Sequence, residues 1–142
     1  ADVLAVIRRL RADAHPPIGK GGERLWDAVR SGRLTVRTHK FFCAPLAFHD
    51  MPDDLAAEFA TATMTVMKGD LNYRRLVGDR YWPATTPFDH TVDYFPSAVT
   101  ALRTLKSEVV VGLTTEQLAG LDESGQPWRT SGRHALIQVH EP

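Results

Sequence analysis

The chain has 142 residues and a mass of 15.8 kDa, a length typical of one folded domain. Its composition, 43% hydrophobic and 24% charged, excludes an intrinsically disordered or collagen-like protein. Seventeen basic and seventeen acidic side chains give a formal net charge of zero, which argues against binding nucleic acid or a membrane surface. Any bound anion must therefore be held by a few placed cations.

The first forty residues predict two helices and a strand. Apolar residues repeat at helical spacing over 2–14, and a proline pair ends this helix. We expect a loop over 18–22, a helix over 23–31 and a strand over 33–37, where basic and apolar residues alternate. The glycine-rich loop follows no strand and lacks the Gly-Lys-Ser/Thr triplet, so it predicts a flexible connection rather than a nucleotide site.

The central part of the chain predicts a strand, a glycine turn and a helix in succession. A helix over 52–61 begins with Asp53 and Asp54, whose charges complement the helix dipole. The β-branched run 63–67 predicts a buried strand, and 71–77 predicts a short helix. This unit places ligands at the carboxyl end of an open α/β sheet.

The remaining sequence predicts a proline-rich loop followed by three strands and a helix. The loop covers 82–96 and can include a turn of helix. The strands cover 98–105, 108–113 and 134–140, although 108–113 could also be helical at its start, and the helix covers 114–121. The fold class is therefore α/β. We expect a Rossmann-like, open and mainly parallel sheet flanked by helices.

The densest group of polar side chains surrounds Gly69. A glycine between a strand and a helix lets the backbone approach a ligand, and exposed amides at the helix start favour an anion. Lys68 and Arg74 can add charge-assisted bonds to a phosphate. Asp70 and Asn72 offer groups suited to sugar hydroxyls or to the second shell of a hard cation. The alternative is structural, with Asp70 capping the helix and the arginines solvated.

A second candidate group lies at the end of the strand over 98–105. Arg103 and Lys106 are three positions apart, and side chains alternate along a strand. The two cations are therefore expected on opposite faces and need not act together. The alternative is a charged boundary in water.

Thiol, histidine and cofactor sites are not indicated. Cys43 could suggest a nucleophile with His39, but no third group orients it, so we expect a buried free cysteine. The histidines make no metal-binding helix pair, and His39 is expected to be structural. A single cysteine and no signal or membrane segment favour a cytoplasmic protein.

Three segments carry a resemblance to a known family: 68–82 (KGDLNYRRLVGDRYW), 101–106 (ALRTLK) and 111–113 (VGL). Together they resemble the third subfamily of the damage-control phosphatases, once called domain of unknown function 89, whose signature is an Arg-Thr-x-Lys motif. Relatives are also described as protein-glutamate O-methyltransferases. The resemblance covers essentially the whole chain.

The resemblance implies a metal-dependent phosphatase of small sugar phosphates, fructose 1-phosphate among them, which works in metabolite damage control. Manganese, nickel or cobalt would serve as the cation, without an organic cofactor. It implies substrate contacts at Asp70, Leu71, Asn72, Tyr73, Arg74 and Lys106, to which the charge pattern adds Lys68 and Arg103.

The family's metal ligands, an Asp-Asn pair and a further Asp, have no counterpart in this sequence and are expected N-terminal to Ala1. The chain also opens without Met, directly in a helix pattern. We therefore expect 1–142 to be the C-terminal portion of a larger α/β domain and to be inactive alone. Its partners would be a sugar phosphate and the N-terminal portion of the same protein. The alternatives are an S-adenosylmethionine-dependent protein-glutamate methyltransferase and a non-catalytic sugar-phosphate-binding fragment.

Overall fold

The structure, a computed structural model, describes residues 2–142, and the chain divides into two compact units, Ala1–His39 and Lys40–Pro142. The first unit holds helices α1 (Asp2–Arg11) and α2 (Pro16–Arg30). A Cβ atom on Gly22 would lie only 2.4 Å from the backbone nitrogen of Arg11, so the two helices cross where only glycine fits.

Two predictions for the first unit are wrong. Residues 18–22 are not a loop, because the prolines at 16 and 17 occupy the first turn of α2, where a helix needs no N–H donor. Residues 33–37 do not form a strand, because no ladder partner lies beside them in the described part of the chain. Alternating residue types cannot make a strand without such a partner.

The second unit contains the sheet, four α-helices and two short 3-10 helices. In chain order its elements are the 3-10 helices Lys40–Cys43 and Phe48–Asp50, then α3 (Asp53–Ala60), β1 (Thr65–Lys68), α4 (Asp70–Leu76), α5 (Phe88–Val92), β2 (Val99–Thr104), α6 (Thr115–Glu123) and β3 (Ala135–His140). The strand, glycine turn and helix expected around Gly69 are confirmed. α5 is the turn of helix that the sequence allowed within the proline-rich loop.

The three described strands form an open mixed sheet in the order β1-β2-β3. β1 and β2 are parallel, with Lys68 opposite Leu102, whereas β2 and β3 are antiparallel, with Leu102 opposite Ile137. The α/β class is confirmed, but only one of the two strand pairings is parallel, so "mainly parallel" does not describe this sheet.

Val109, Val110, Val111 and Leu113 are buried, yet the segment 108–113 is not a strand of the sheet. Its backbone instead pairs with the proline-rich loop: Gly112 donates to the carbonyl of Thr86 and Leu113 donates to that of Ala84. The prediction of a strand there was wrong because the three valines are buried in the core without pairing to a strand of the sheet.

The core of the second unit covers one face of the sheet. Met67, Val99 and Ala101 are buried on that face, and α4 packs against both β1 and β2. Since β1 and β2 are parallel, their carboxyl ends meet at one edge, and α4 begins directly after β1 at this edge. No helix within residues 2–142 is long and apolar enough to cross a membrane.

Candidate functional site

A pocket of about 430 Å³ lies at the carboxyl ends of β1 and β2. The first residues of β3 line one side of it. Its polar and charged lining comes from Lys68, Asp70, Arg103, Thr104 and Lys106. Of the predicted site residues, the structure therefore brings together Lys68, Asp70, Arg103 and Lys106.

Gly69 makes the turn from β1 into α4 with φ 103° and ψ 162°. Only glycine adopts this conformation without strain. Its amide donates to the carbonyl of Leu102, which ties the turn to β2, and its carbonyl accepts from Tyr73. The turn thus brings the side chain of Asp70 to the end of the neighbouring strand.

Arg103 is buried, with 3% of its surface exposed. Its Nε donates to Oδ1 of Asp70 at 2.8 Å, Nη2 donates to the hydroxyl of Ser107 at 2.8 Å, and Nη1 donates to the carbonyl of Val109. The guanidinium also lies over the ring of Tyr73, 4.4 Å from its centroid. The alternative of a charged boundary in water is wrong for Arg103, because protein groups occupy most of its donors.

Lys68 and Lys106 are exposed at the pocket, and neither takes part in an ion pair among residues 2–142. The chain before Lys106 is held in place, since the Leu105 amide donates to the carbonyl of His134 and its carbonyl accepts from Gly132. The two exposed lysines therefore line the pocket where their ammonium groups are available to an anion.

The other four predicted site residues do not line the pocket in the described structure. Arg74 makes a bidentate pair with Asp79 at 2.7 and 2.8 Å, and this hydrogen bonding raises the pKa of Arg74. The Asn72 side chain donates to the carbonyl of Lys68 at 2.9 Å. The remaining two are Leu71, which is exposed, and Tyr73, which is completely buried.

Tyr73 connects the site to the core. Its hydroxyl oxygen accepts a hydrogen bond from the amide of Val111 at 3.2 Å, and burial raises the pKa of this phenol. Because the guanidinium of Arg103 stacks on its ring, Tyr73 supports the pocket through Arg103.

Sequence reasoning missed the roles of Arg75 and Ser107. Arg75 is not solvated: it is buried between Phe41 and Phe48, donates from Nε to the carbonyl of Leu46 at 2.6 Å, and has its pKa lowered by burial. The sequence held one signal for this difference. Consecutive residues of a helix point about 100° apart, so Arg74 and Arg75 cannot share a face and need not both be solvated. Ser107, which accepts from Arg103, carried no comparable signal.

Cys43 is exposed, so the expectation of a buried cysteine is wrong. It lies in the short 3-10 helix Lys40–Cys43, in which Phe41 takes the buried position.

The described residues do not build a metal centre on their own. No group of three or more His, Cys, Asp or Glu side chains among them could hold a metal ion. The carboxylate in the pocket lining, Asp70, already accepts a hydrogen bond from Arg103.

Comparison with known proteins identifies the family. Residues 1–121 match the Damage-control phosphatase ARMT1-like domain. Curated relatives named Damage-control phosphatase ARMT1 include the mouse protein, 40% identical over 122 residues, which are 82% of this chain and 28% of the mouse protein. The bovine and human proteins are 36% and 33% identical over 141 residues, which are 96% of this chain and 32% of each relative. The chain thus spans about a third of the length of these relatives. The family predicted from the sequence is confirmed, and the chain belongs to the damage-control phosphatase ARMT1-like family.

Proposed function

We propose that this chain supplies the substrate-binding part of a metal-dependent phosphatase that removes phosphate from small sugar phosphates of the fructose 1-phosphate type, in metabolite damage control. The observation that carries the proposal is the pair of lysines, Lys68 and Lys106, which flank a pocket without an ion-pair partner among residues 2–142. The name shared by the curated relatives supports the reaction class.

The size and charge of the pocket suit a sugar phosphate. Its volume of about 430 Å³ falls within the range of small-molecule sites, about 300–1,000 Å³. A phosphate monoester carries a charge of about −1.5 to −2 at neutral pH, which two ammonium groups balance. Because Arg103 compensates the charge of Asp70, this carboxylate adds little repulsion toward the phosphate.

Each pocket residue then has a defined task. Lys68 and Lys106 bind the phosphate oxygens, and Thr104 offers a hydroxyl beside them. Asp70, held by Arg103 through Oδ1, can accept a sugar hydroxyl at its other oxygen. Arg103 positions these groups and does not bind the substrate itself.

The four predicted residues outside the lining have less direct parts in the proposal. Arg74 reaches the substrate only after leaving Asp79. Asn72 fixes the end of β1, Tyr73 supports Arg103, and Leu71 is exposed beside the turn.

The catalytic cation, manganese, nickel or cobalt, would be held by residues of the longer domain outside these 142, and no organic cofactor is required. The three strands would form part of a larger Rossmann-like sheet. The isolated chain would bind substrate without hydrolysing it.

Isothermal titration calorimetry on the 142-residue chain tests the binding proposal. Fructose 1-phosphate and inorganic phosphate should bind, whereas fructose should not. Lys68→Ala and Lys106→Ala should each weaken binding about 10- to 100-fold, since a charge-assisted bond contributes about 1.5–3 kcal/mol. Lys20→Ala, an exposed lysine in α2, is the matched control. Unchanged affinity in the Lys68 and Lys106 double variant would contradict the proposed site.

The reaction itself is tested in a longer protein. The chain replaces the matched segment of the human relative, and phosphate release from hexose and pentose phosphates is measured with manganese or nickel and then with a chelator. The proposal expects metal-dependent release. Methyl transfer from S-adenosylmethionine to glutamate without phosphate release would favour the methyltransferase alternative.

A further inference from the structure

One face of the sheet carries exposed apolar side chains. The strand register places Val66 beside Thr100 and Val139, and places Leu102 beside Ile137. Paired residues share a face, so these five residues lie together on the side opposite the core. We call them the open face. Val66 is 56% exposed, Ile137 76% and Val139 49%.

Such exposure is unusual for this kind of sheet. Parallel strands are normally covered on both faces, and β1 and β2 are parallel. The core covers only the face that contains Met67 and Ala101. A contiguous apolar patch on a sheet marks a surface that packs against another element.

We propose that the open face is the docking surface for one amphipathic α-helix supplied by the part of the longer family domain that lies outside these 142 residues. The human and bovine relatives have about two thirds of their length outside the matched segment, which is ample chain for such a helix. Two strand spacings span about 10 Å, which matches the diameter of a helix with its side chains, about 10–12 Å. One helix therefore suffices to cover three strands.

The end of the open face fits this occupant better than a second copy of the chain. Lys68 lies in the same cross-strand row as Leu102 and Ile137. Face-to-face packing of two copies would bury this ammonium group from each, and burial of an unpaired charge is costly. A single helix can cover the apolar residues and leave Lys68 at its edge.

The open face is continuous with the pocket, because Leu102, Ile137 and Lys68 belong to the pocket lining as well. A helix that covers Ile137 would therefore form a wall of the phosphate pocket. By excluding water there, it would strengthen the attraction between the lysines and the phosphate. This inference rests on the proposed function and names the element that completes its site.

Hydroxyl-radical footprinting with mass spectrometry tests the docking surface directly. The 142-residue chain is compared with the human relative that carries this chain in place of its matched segment. Ile137 and Val139 should be labelled in the isolated chain and lose that labelling in the longer protein. Exposed Leu46 should remain labelled in both, and buried Val99 should be labelled in neither.

Two results would overturn the inference. One is persistent labelling of Ile137 and Val139 in the folded longer protein; the other is their protection in a dimer of the isolated chain, which would assign the face to a second copy. If the hybrid protein does not fold, the same measurement at the aligned positions of the human relative decides the question.

A variant pair adds a second readout. Ile137→Lys should lower the melting temperature of the longer protein but not that of the isolated chain, where the side chain is already exposed. Leu46→Lys should change neither. Neither readout requires catalysis: protection without phosphate release would contradict only the proposed function, and phosphate release with Ile137 still labelled would contradict only the docking surface.

Discussion

The guanidinium of Arg103 donates from Nε to Oδ1 of Asp70 across 2.8 Å, and this bond joins the end of β2 to the start of α4. The side chain of Arg103 has no exposed surface, while that of Asp70 is 20% exposed. Because the same guanidinium binds Ser107 and Val109, it also fixes the chain that follows Lys106. One buried cation thus sets the position of the pocket's carboxylate and of the chain that follows Lys106.

Replacing this arginine should destabilise the whole second unit. Arg103→Met leaves Asp70 and the carbonyl of Val109 without their partner, and loss of one member of a buried pair costs about 3–5 kcal/mol. Arg103→Lys keeps the charge but lacks the planar fork, so it should recover only part of the loss. Urea unfolding followed by circular dichroism measures the free energy of unfolding.

The control is an arginine–aspartate ion pair at the surface. Arg74→Met breaks the bidentate pair with Asp79, where both side chains are over a third exposed, and exposed pairs contribute at most about 1 kcal/mol. Similar losses for Arg74→Met and Arg103→Met would show that the buried network has no special role.

The contrast between these arginines shows where sequence reasoning stops. The strand, glycine turn and helix around Gly69 were predicted correctly because β-branched runs, a glycine and a polar helix start are local signals. The burial of Arg75 and of Arg103 depends on groups far along the chain: Arg75 donates to Leu46, and Arg103 donates to Asp70. No local pattern encodes such partners.

Strand pairing had the same limit. The segments 33–37 and 108–113 have strand-like composition, but a strand forms only where a neighbour offers free backbone groups. The direction of β3 likewise depends on how the long connection from α6 returns to β2. Four of the eight predicted site residues line the pocket, and one of the two strand pairings is parallel, so local sequence patterns specified neither the whole pocket nor the pairing of the sheet.

Gly69→Ala should destabilise the protein through its backbone alone. A Cβ atom at this position would meet nothing within 4 Å, so there is no steric clash with neighbours. At φ 103° and ψ 162°, however, a residue with a side chain is strained by about 1–3 kcal/mol. Relief of that strain would move Asp70, and phosphate affinity should fall together with the free energy of unfolding.

Gly120→Ala supplies the matched comparison for Gly69. Gly120 lies inside α6, its Cβ atom would also meet nothing within 4 Å, and its φ is not positive. Alanine should stabilise this helix by about 0.5–1 kcal/mol. Denaturation curves that shift in the same direction for both variants would contradict the assignment of strain to Gly69.

Tyr73→Phe removes one oxygen atom from the buried support of the pocket. The Val111 amide then loses its acceptor, and an unsatisfied buried donor costs about 1–3 kcal/mol. The ring remains beneath Arg103, so the pocket should keep its shape. Urea unfolding measures the loss, and hydrogen exchange at the Val111 amide should become faster. Tyr81→Phe, at a hydroxyl on an 87% exposed residue, should leave both unchanged.

Acid should weaken the fold through His49. Its ring stacks on Tyr94 with centroids 3.7 Å apart, and burial, followed by the charge of Arg80, lowers the pKa of His49 below 6.5, against the opposing charges of Asp50 and Asp93. Between the folded and unfolded pKa values of His49, the unfolded chain binds more protons than the folded chain. The stability that depends on a neutral His49 is therefore fully present above pH 6.5 and is lost as the pH falls through the folded pKa.

His49→Phe keeps an aromatic ring against Tyr94 and removes the titration. The free energy of unfolding should therefore fall less in this variant than in the native chain between about pH 7 and 5, the range in which histidine titrates. Leu46→Phe, which adds an aromatic ring at an exposed position without removing a titratable group, should retain the native pH dependence. Urea unfolding at a series of pH values distinguishes them. If the free energy of unfolding falls equally with pH in the native chain and in His49→Phe, the protons that weaken the fold bind elsewhere. That result would contradict the role of His49.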